Sequence, residues 1–398
     1  MMLFTYVYLK NFKFTNMNSK KILIAVDSFK DCLPSLEVAK FLEEGLKTTN
    51  PSLEVNKIPL ADGGEGTVEA IVESLRGSYV SVQVKDPLLR DISAKYGLIN
   101  NNETAIIEMA SASGLTLLKE DERNPMFTTT FGTGELIYDA VNRDVKNIII
   151  GIGGSATNDA GIGMATALGV KFLNGENNVV ECNCSALNKI TKIDQTNKLE
   201  RLSKTPITVI CDVTNPLYGP DGAAHVYGPQ KGATQEMVQI MDSYLRQFAN
   251  VVEKELKIFA QDLPGAGAAG GLGFGLAVFA NAKLTSGIDF LIEFLCLDEK
   301  VKNADLVITG EGKLDYQTQF NKAPWGILQK AKQNGKIAIG VAGIIDEDAK
   351  KYFNKKFDLL YSTVDISESP YDSIINAGKY LRIIGQQIGE EIKKPEFL

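Results

Sequence analysis

Histidine and paired cysteines are scarce in this sequence. Its 398 residues include one histidine, His225, and five cysteines, which is an odd number scattered over a long chain. Such cysteines are typical of free thiols in a reducing compartment, not of a disulfide framework. Cys182 and Cys184 form Cys-x-Cys, whereas zinc and redox motifs use Cys-x-x-Cys. With no G-x-S-x-G motif either, the sequence argues against a zinc site and against a serine hydrolase built on His225.

The chain also lacks a basic region. Its net charge is -7, and no stretch concentrates lysine and arginine among aromatic residues. An acidic protein of this kind repels a phosphate backbone, so nucleic acid is not an expected partner. A small anionic substrate remains compatible with the composition, because a local cluster of lysines outweighs a mildly negative surface.

Membrane-spanning and secretory segments are not expected. The uncharged run 263–282 is long enough to cross a bilayer, but it contains Pro264 and six glycines, which is typical of a loop leading into a buried helix. Residues 1–19 lack the positively charged lead-in and small-residue cleavage site of a signal peptide. We therefore predict a cytoplasmic protein without a membrane span, in which residues 1–19 are an N-terminal extension.

Alternating strand and helix patterns occupy both ends of the chain, and the chain is long enough for two domains. The strands of this pattern are Lys21–Val26, Leu53–Leu60, Asp305–Thr309, Lys336–Val341 and Phe357–Thr363. Such alternation predicts a parallel sheet covered by helices on both faces. The middle of the chain instead has closely spaced strands and long glycine-rich loops. We predict an α/β fold in which a parallel-sheet domain, residues 20–85 and 290–398, is interrupted by a second mixed α/β domain, residues 86–289.

Three loops at strand ends combine carboxylates with glycine, hydroxyl or lysine groups. Open α/β sheets bind ligands outside the carboxyl ends of their strands, and carboxylates there suit metal binding or proton transfer. One such loop is typical of a turn with helix-capping acids, but three at one sheet edge predict an active site. The candidate catalytic residues are Asp62, Asp27 and Lys30, with Asp62 also a candidate magnesium ligand, and the candidate substrate-binding residues are Ser28, Glu65, Glu311 and Lys313.

The densest glycine cluster is Gly151–Gly163, which follows an apolar strand and leads into a helix. Backbone amides in such a loop, together with the N-terminus of the helix, bind phosphate. The candidate phosphate ligands are Gly153, Gly154, Ser155, Thr157 and Asn158, and Asp159 is a candidate magnesium ligand. Lys231, just before a helix start, is a further candidate for binding an anion, although a charged loop capped by Thr234 explains it equally well.

The glycine cluster leaves a second enzyme class open. It also satisfies G-x-G-x-x-A, the loose dinucleotide fingerprint, so a dehydrogenase is the alternative; the following acid, Glu176, lies in a turn-like setting. No G-x-x-x-x-G-K-[ST] motif or protein-kinase signature occurs. Phosphoryl transfer requires neither, because it depends on positioning, a metal ion and cationic groups.

In order and spacing, these motifs resemble the type-1 glycerate kinase family. The motifs are Asp27–Lys30, Ala61–Thr67, Gly151–Gly161, Cys211–Pro220, Pro229–Thr234, Leu263–Gly273 and Thr309–Asp315. The resemblance runs from about Lys21 to the last helix. It implies phosphorylation of D-glycerate with ATP, with 2-phosphoglycerate favoured over 3-phosphoglycerate, and an interrupted Rossmann-like domain plus a second α/β domain. The carboxylates add Mg²⁺ as an expected cofactor, and a monomer or homodimer is expected.

The sequence departs from the family pattern at a few positions. Asp31 and Cys32 replace a small Gly-Ser pair, Ala160 replaces a glycine, and Asn321 replaces the glycine before Lys-Ala-Pro. Asp31 adds negative charge beside an expected anion site. A sensor that kept the pocket but lost turnover is the alternative outside the enzymes. Loss of an acid or lysine would mark such a sensor, and all these positions are filled.

Overall fold

The computed structural model describes residues 20–394, except residues 31, 61–70, 73–74, 76 and 320–321. The strands are β1 (Lys21–Val26), β2 (Glu54–Pro59), β3 (Ser78–Lys85), β4 (Asp91–Ile99), β5 (Thr104–Glu108), β6 (Asn147–Gly151), β7 (Lys171–Leu173), β8 (Lys192–Asp194), β9 (Ile207–Ile210), β10 (Lys283–Thr285), β11 (Leu306–Leu314), β12 (Ile337–Ile345) and β13 (Leu359–Ser362). The helices are α1 (Ser35–Thr49), α2 (Ala110–Ser113), α3 (Phe131–Asn142), α4 (Ile162–Ala167), α5 (Ala223–Tyr227), α6 (Gln235–Leu256), α7 (Ala268–Ala280), α8 (Gly287–Phe294), α9 (Leu297–Asn303), α10 (Ala323–Gln333), α11 (Glu347–Phe353), α12 (Pro370–Ile375) and α13 (Ala377–Glu391).

The chain divides into two compact units, one made of Met1–Asp62 with Ile288–Leu398 and the other of Gly63–Gly287. The predicted first boundary lay near residue 85. The structure places it earlier because β3 pairs with β4 in the sheet of the second unit. The second boundary falls close to the predicted residue 290.

The first unit is built on a five-stranded sheet with the order β13-β12-β11-β1-β2. All four neighbouring pairs are parallel, as predicted from the alternation of strands and helices. The chain moves outward from β1 to β2 on one side and from β11 to β13 on the other. This is a doubly wound order whose direction reverses between β1 and β11. The parallel-sheet prediction is confirmed, with the flavodoxin-like strand order and not the order of the dinucleotide-binding fold.

Two amphipathic helices cover one face of this sheet. Leu42 and Leu46 of α1 and Ile384 of α13 pack against Ile22 and Ile24 of β1. Both helices bury one stripe, because residues three or four apart share a face. Successive strand residues point to opposite faces of a sheet, so the buried side chain between these two isoleucines faces the other side.

The second unit is built on a six-stranded mixed sheet with the order β10-β9-β6-β5-β4-β3. Strands β5, β6, β9 and β10 run parallel, while β3 and β4 form an antiparallel edge. A separate pair, β7 and β8, is antiparallel. Phe172 of β7 makes edge-to-face contacts with Phe248 of α6 and Phe279 of α7. The prediction of a mixed α/β architecture is thus confirmed.

The uncharged run 263–282 forms a turn and the buried helix α7. No helix within the part of the chain that the structure describes has both the length and the apolar character needed to span a bilayer.

A tight backbone contact between α1 and α13 gives the first prediction. A Cβ added at Gly45 would lie 2.1 Å from the Arg382 carbonyl oxygen. Gly45→Ala should therefore lower the free energy of unfolding by about 1–3 kcal/mol, although alanine is intrinsically the better helix former. Denaturant titration measures the change. The matched control is Gly175→Ala, because a Cβ there meets no atom within 4 Å. Equal stability of the two variants would contradict the prediction.

Candidate functional site

The point where the strand direction reverses brings two predicted loops together. The N–H of Asp27, just after β1, donates to the Gly310 carbonyl of β11 over 2.8 Å. A Cβ on Gly312 would lie 3.1 Å from the Lys30 backbone nitrogen, so these two segments of the backbone are in contact. Crevices at such reversal points are the usual ligand sites of open α/β sheets. The strand topology therefore places residues 27–30 and 310–313 at the preferred edge of this sheet.

The loop after β1 presents a buried carboxylate and two exposed polar side chains. Asp27 is 8% exposed, and its Oδ1 accepts the Ser28 N–H at 2.6 Å. Ser28 and Lys30 are exposed. Two backbone hydrogen bonds of 2.9 Å between Phe29 and Leu33 close the turn that follows. This turn directs a hydroxyl and a cation to solvent beside a fixed carboxylate.

Glu311 is buried and held by two residues that sequence reasoning missed. Its Oε1 accepts the Thr318 hydroxyl at 2.7 Å, and its Oε2 lies 3.3 Å from Lys322 Nζ. Burial raises the pKa of the Glu311 carboxyl, while the Thr318 hydrogen bond and the Lys322 charge oppose the rise. Lys322 immediately precedes α10. The Lys-Ala-Pro motif was the available signal for this lysine, but its contact with Glu311 exists only in the folded chain.

Lys313 lies on the part of β11 that extends past the end of β1. There β11 stays paired with β12 as far as Leu314 and Ile345. Its Nζ is 3.0 Å from Asp346 Oδ2 at the end of β12, and this ion pair raises the Lys313 pKa. Asp346 is thus a further carboxylate at this edge, in addition to Asp27 and Glu311. Two other predicted residues, Asp62 and Glu65, lie outside the described residues.

The glycine-rich loop of the second unit exposes a short turn. Gly153 and Gly154 are exposed, whereas Ser155 is only 9% exposed. The Gly154 carbonyl accepts the Leu115 N–H at 2.8 Å, which ties the turn to the neighbouring segment. No acceptor among the described residues pairs with the N–H groups of Gly153, Gly154 or Ser155. Free successive amides in an exposed turn suit an anion.

The next two predicted ligands face the interior. Thr157 and Asn158 are both fully buried. Within the described part of the chain, Thr157 Oγ1 and Asn158 Oδ1 have no hydrogen-bond partner. The Asn158 amide nitrogen approaches Cys184 Sγ at 3.8 Å. The structure therefore separates the turn Gly153–Ser155, whose two glycines are exposed, from the fully buried Thr157 and Asn158.

Asp159 is a buried carboxylate surrounded by donors. Its Oδ2 accepts the N–H and hydroxyl of Thr130, both at 2.8 Å, and the Gly163 N–H at 3.2 Å, while its Oδ1 accepts the Gly161 N–H at 3.0 Å. Burial raises the pKa of the Asp159 carboxyl, and these hydrogen bonds oppose the rise. Both oxygens accept hydrogen bonds and the carboxylate is fully buried, so its surroundings make Asp159 a less favourable candidate for the predicted magnesium contact. The arrangement fixes the start of α4 against the residue before α3.

Lys231 is also buried, contrary to what a residue in direct contact with a phosphate requires. Its side chain is 1% exposed, and its Nζ donates to the Thr157 carbonyl at 2.7 Å. Burial lowers the pKa of Lys231 to about 7, with the Asp159 charge opposing this change. The structure thus brings Lys231 to the glycine-rich loop, where its side chain contacts the loop backbone.

The segment 263–275 packs against the same loop backbone to backbone. Ala269, Gly270 and Gly271 all have positive φ, which interrupts the start of α7. A Cβ on Gly270 would lie 1.9 Å from the Thr157 carbonyl oxygen, and the Gly270 carbonyl accepts the Ala160 N–H at 3.0 Å. Glycine is required at position 270 because the approach leaves no room for a side chain.

The buried lysine makes stability depend on pH. The Lys231 pKa falls from 10.5 to about 7 on folding, so the unfolded chain binds more protons between these values and folding becomes more favourable as pH rises through that window. The Asp159 charge acts on the Lys231 side chain, and it also acts on the Cys182 and Cys184 thiols. Arg123 approaches Gly232, the residue after Lys231.

We therefore expect the wild-type free energy of unfolding, minus that of Lys231→Met, to rise with pH by at most about 1.4 kcal/mol per unit. Denaturant titrations of both proteins across the window measure the difference, in which the thiol titrations cancel. A difference that stays constant with pH would show that Lys231 keeps its ordinary pKa.

The chain is similar to known glycerate kinases over most of its length. The model of the glycerate kinase family matches residues 22–393. A glycerate kinase of Bacillus subtilis (strain 168) is 43% identical over 373 residues, which cover 94% of this chain and 98% of that protein. The glycerate 2-kinase of Escherichia coli (strain K12) is 41% identical over 366 residues, which cover 90% of this chain and 96% of that protein.

A solved structure extends the similarity to three dimensions. The crystal structure of a candidate glycerate kinase 2 from Salmonella typhimurium LT2 has a TM-score of 0.87 and 41% sequence identity, and the match covers 96% of this chain and 100% of that chain. The family match spans nearly the whole chain, and it confirms the resemblance inferred from the motifs. The chain belongs to the glycerate kinase family of enzymes.

Proposed function

We propose that the protein transfers the terminal phosphoryl group of ATP to the 2-hydroxyl of D-glycerate in the cytoplasm. Family membership supports glycerate as the substrate, and the E. coli relative named glycerate 2-kinase supports the 2-hydroxyl. The observation that carries the proposal is the edge of the first sheet. There a buried carboxylate, Asp27, lies beside the exposed Ser28 and Lys30. The five free cysteines support the cytoplasm.

Each part of the reaction has a candidate group in one of the two units. Lys30 and the Ser28 hydroxyl suit the glycerate carboxylate, because a cation and a neutral donor pair with an anion. The N–H groups of Gly153–Ser155, which have no acceptor in the part of the chain that the structure describes, suit ATP phosphates. The exposed Lys313 offers a further positive charge, although Asp346 pairs with it. Glu65 stays a sequence-based proposal for substrate binding.

The chemistry requires a proton acceptor. The glycerate hydroxyl oxygen forms a bond to the γ-phosphorus, the bond from that phosphorus to the bridging oxygen of ADP breaks, and the hydroxyl proton passes to a carboxylate. We propose Asp62 as this base, with Asp27 as the second candidate. Glu311 is less suited, because Thr318 and Lys322 already engage its oxygens.

Magnesium fits this proposal through the type of ligand available. Mg²⁺ in kinases uses one or two carboxylates, waters and the substrate phosphates, and when bound it neutralises the charge on the phosphates. Among the described residues, no group of three or more His, Cys, Asp or Glu side chains is placed to hold a metal. One or two carboxylates suffice for such a site, so Asp27 fits and Asp62 is its proposed partner. The donors around Asp159 make it the weaker candidate.

The first test is the reaction itself. We expect ADP release that requires both ATP and D-glycerate, and a product that enolase consumes without phosphoglycerate mutase. A coupled assay that follows ADP, and a second that follows enolase with and without mutase, measure both points. Signal only in the presence of mutase would mean that the 3-phosphate is formed. Glycerate binding without ADP release would favour the sensor.

The second test compares two carboxylates by the same substitution. Asp62→Asn should lower kcat by about 10²–10⁴-fold or more with unchanged melting, because the amide keeps the size of the side chain but cannot take a proton. If Asp62 only caps the following helix, asparagine caps nearly as well and turnover survives. Asp27→Asn, measured in parallel, decides between the two bases. Near-normal turnover of Asp62→Asn with loss in Asp27→Asn would move the base to Asp27.

A further inference from the structure

We propose that Lys231 is a positioning residue: its buried side-chain nitrogen holds the Thr157 carbonyl and thereby keeps the exposed turn Gly153–Ser155 shaped for the phosphates of ATP. The inference rests on the proposed function. It gives Lys231 an indirect role in place of the ligand contact expected from the sequence.

The backbone around Lys231 has little freedom. The residue ends a short turn, Pro229–Lys231, and the following Gly232 has φ of +92°. A Cβ on Gly232 would lie 2.4 Å from the Arg123 carbonyl oxygen. The turn is therefore packed tightly on a neighbouring segment. At 1% exposure, the side chain extends inward to its 2.7 Å bond with Thr157 and does not reach solvent.

Lys231 is the one hydrogen-bond donor to the Thr157 carbonyl among the residues that the structure describes. Gly270 packs so closely on it that an added Cβ would lie 1.9 Å from the oxygen. Thr157 is itself fully buried. A buried carbonyl that loses its donor is left unpaired, unless the peptide turns to find another. Without the Lys231 bond, we therefore expect the peptide after Thr157 to rotate.

Such a rotation would pull on the segment before Thr157, because the segment after it is fixed. The Ala156 carbonyl, which lies between Thr157 and the turn, accepts the buried Thr128 hydroxyl at 2.8 Å, so the rotation would strain this bond and the turn next to it. On the other side, Asp159 is held by the donors of Thr130 and of the start of α4. Lys231 and Thr128 thus hold two successive carbonyls directly after Ser155. The N–H groups of the turn Gly153–Ser155 come directly before these carbonyls along the chain.

The experiment separates positioning from folding. Lys231→Met removes the donor, and Lys231→Gln keeps an uncharged N–H donor on a shorter chain. Lys204→Met is the control, because Lys204 is exposed. The kcat and the KM values for ATP and for D-glycerate are measured for each protein well below its own melting temperature.

We expect Lys231→Met to lower kcat/KM for ATP about 10- to 100-fold through a higher KM for ATP, as small misplacements of a binding group do. The KM for D-glycerate and all constants of Lys204→Met should stay within about twofold of wild type, and Lys231→Gln should recover part of the loss.

Distinct outcomes overturn the inference. Folded Lys231→Met with an unchanged KM for ATP would reduce Lys231 to a structural role. A raised KM for D-glycerate with normal ATP kinetics would show that the turn serves the other substrate. If Lys231→Met does not fold, Lys231→Gln decides by the same comparison. Absence of ATP-dependent turnover in the wild type would overturn the proposed function, and this inference with it, whereas a defect confined to the substitutions concerns Lys231 alone.

Discussion

The close approach of backbone to backbone in the second unit is the constraint on which the glycine-rich loop depends. The left-handed turn Ala269–Gly271 enters the loop so deeply that position 270 has no room for a Cβ. Side chains are excluded there, so hydrogen bonds to main-chain groups must fix the shape. The consequence is a rigid buried half of the loop and a short exposed half. Preorganised amides of this kind favour an anion without reorganisation when it arrives.

Two buried charges complete this arrangement. Asp159 receives N–H and O–H donors from two segments, and Lys231 donates to a main-chain carbonyl. Burying a charge is unfavourable unless hydrogen bonds and an opposite charge compensate it. The lowered pKa of Lys231 shows that burial outweighs the attraction of Asp159. Lys231 contacts the backbone of the glycine-rich loop, and Asp159 connects that loop to the start of α3.

The first unit reaches a similar result through strand topology. Because the strand order reverses between β1 and β11, the loops after these two strands lie side by side. Asp27 and Glu311, which are distant in sequence, therefore reach one sheet edge, each buried and each with a different partner. Asp27 keeps Ser28 and Lys30 as exposed neighbours, while Thr318 and Lys322 engage Glu311. The two carboxylates thus differ in their surroundings although both follow a buried strand.

The sequence alone determined the family, the parallel sheet of the first unit and the loops that carry polar groups. These features are local: apolar strands, glycine clusters and strand-end acids are readable in order along the chain. Tertiary structure decided which of those groups face solvent. Lys231 and Asp159 have the residue types of ligands, but their burial depends on segments far away in the chain, including Thr130 and Gly270. It also decided that β3 belongs to the second sheet, because strand pairing is a non-local choice that β4 makes favourable. A pattern of residue types specifies what a side chain can do, whereas the packing around it determines whether water and substrate can reach it.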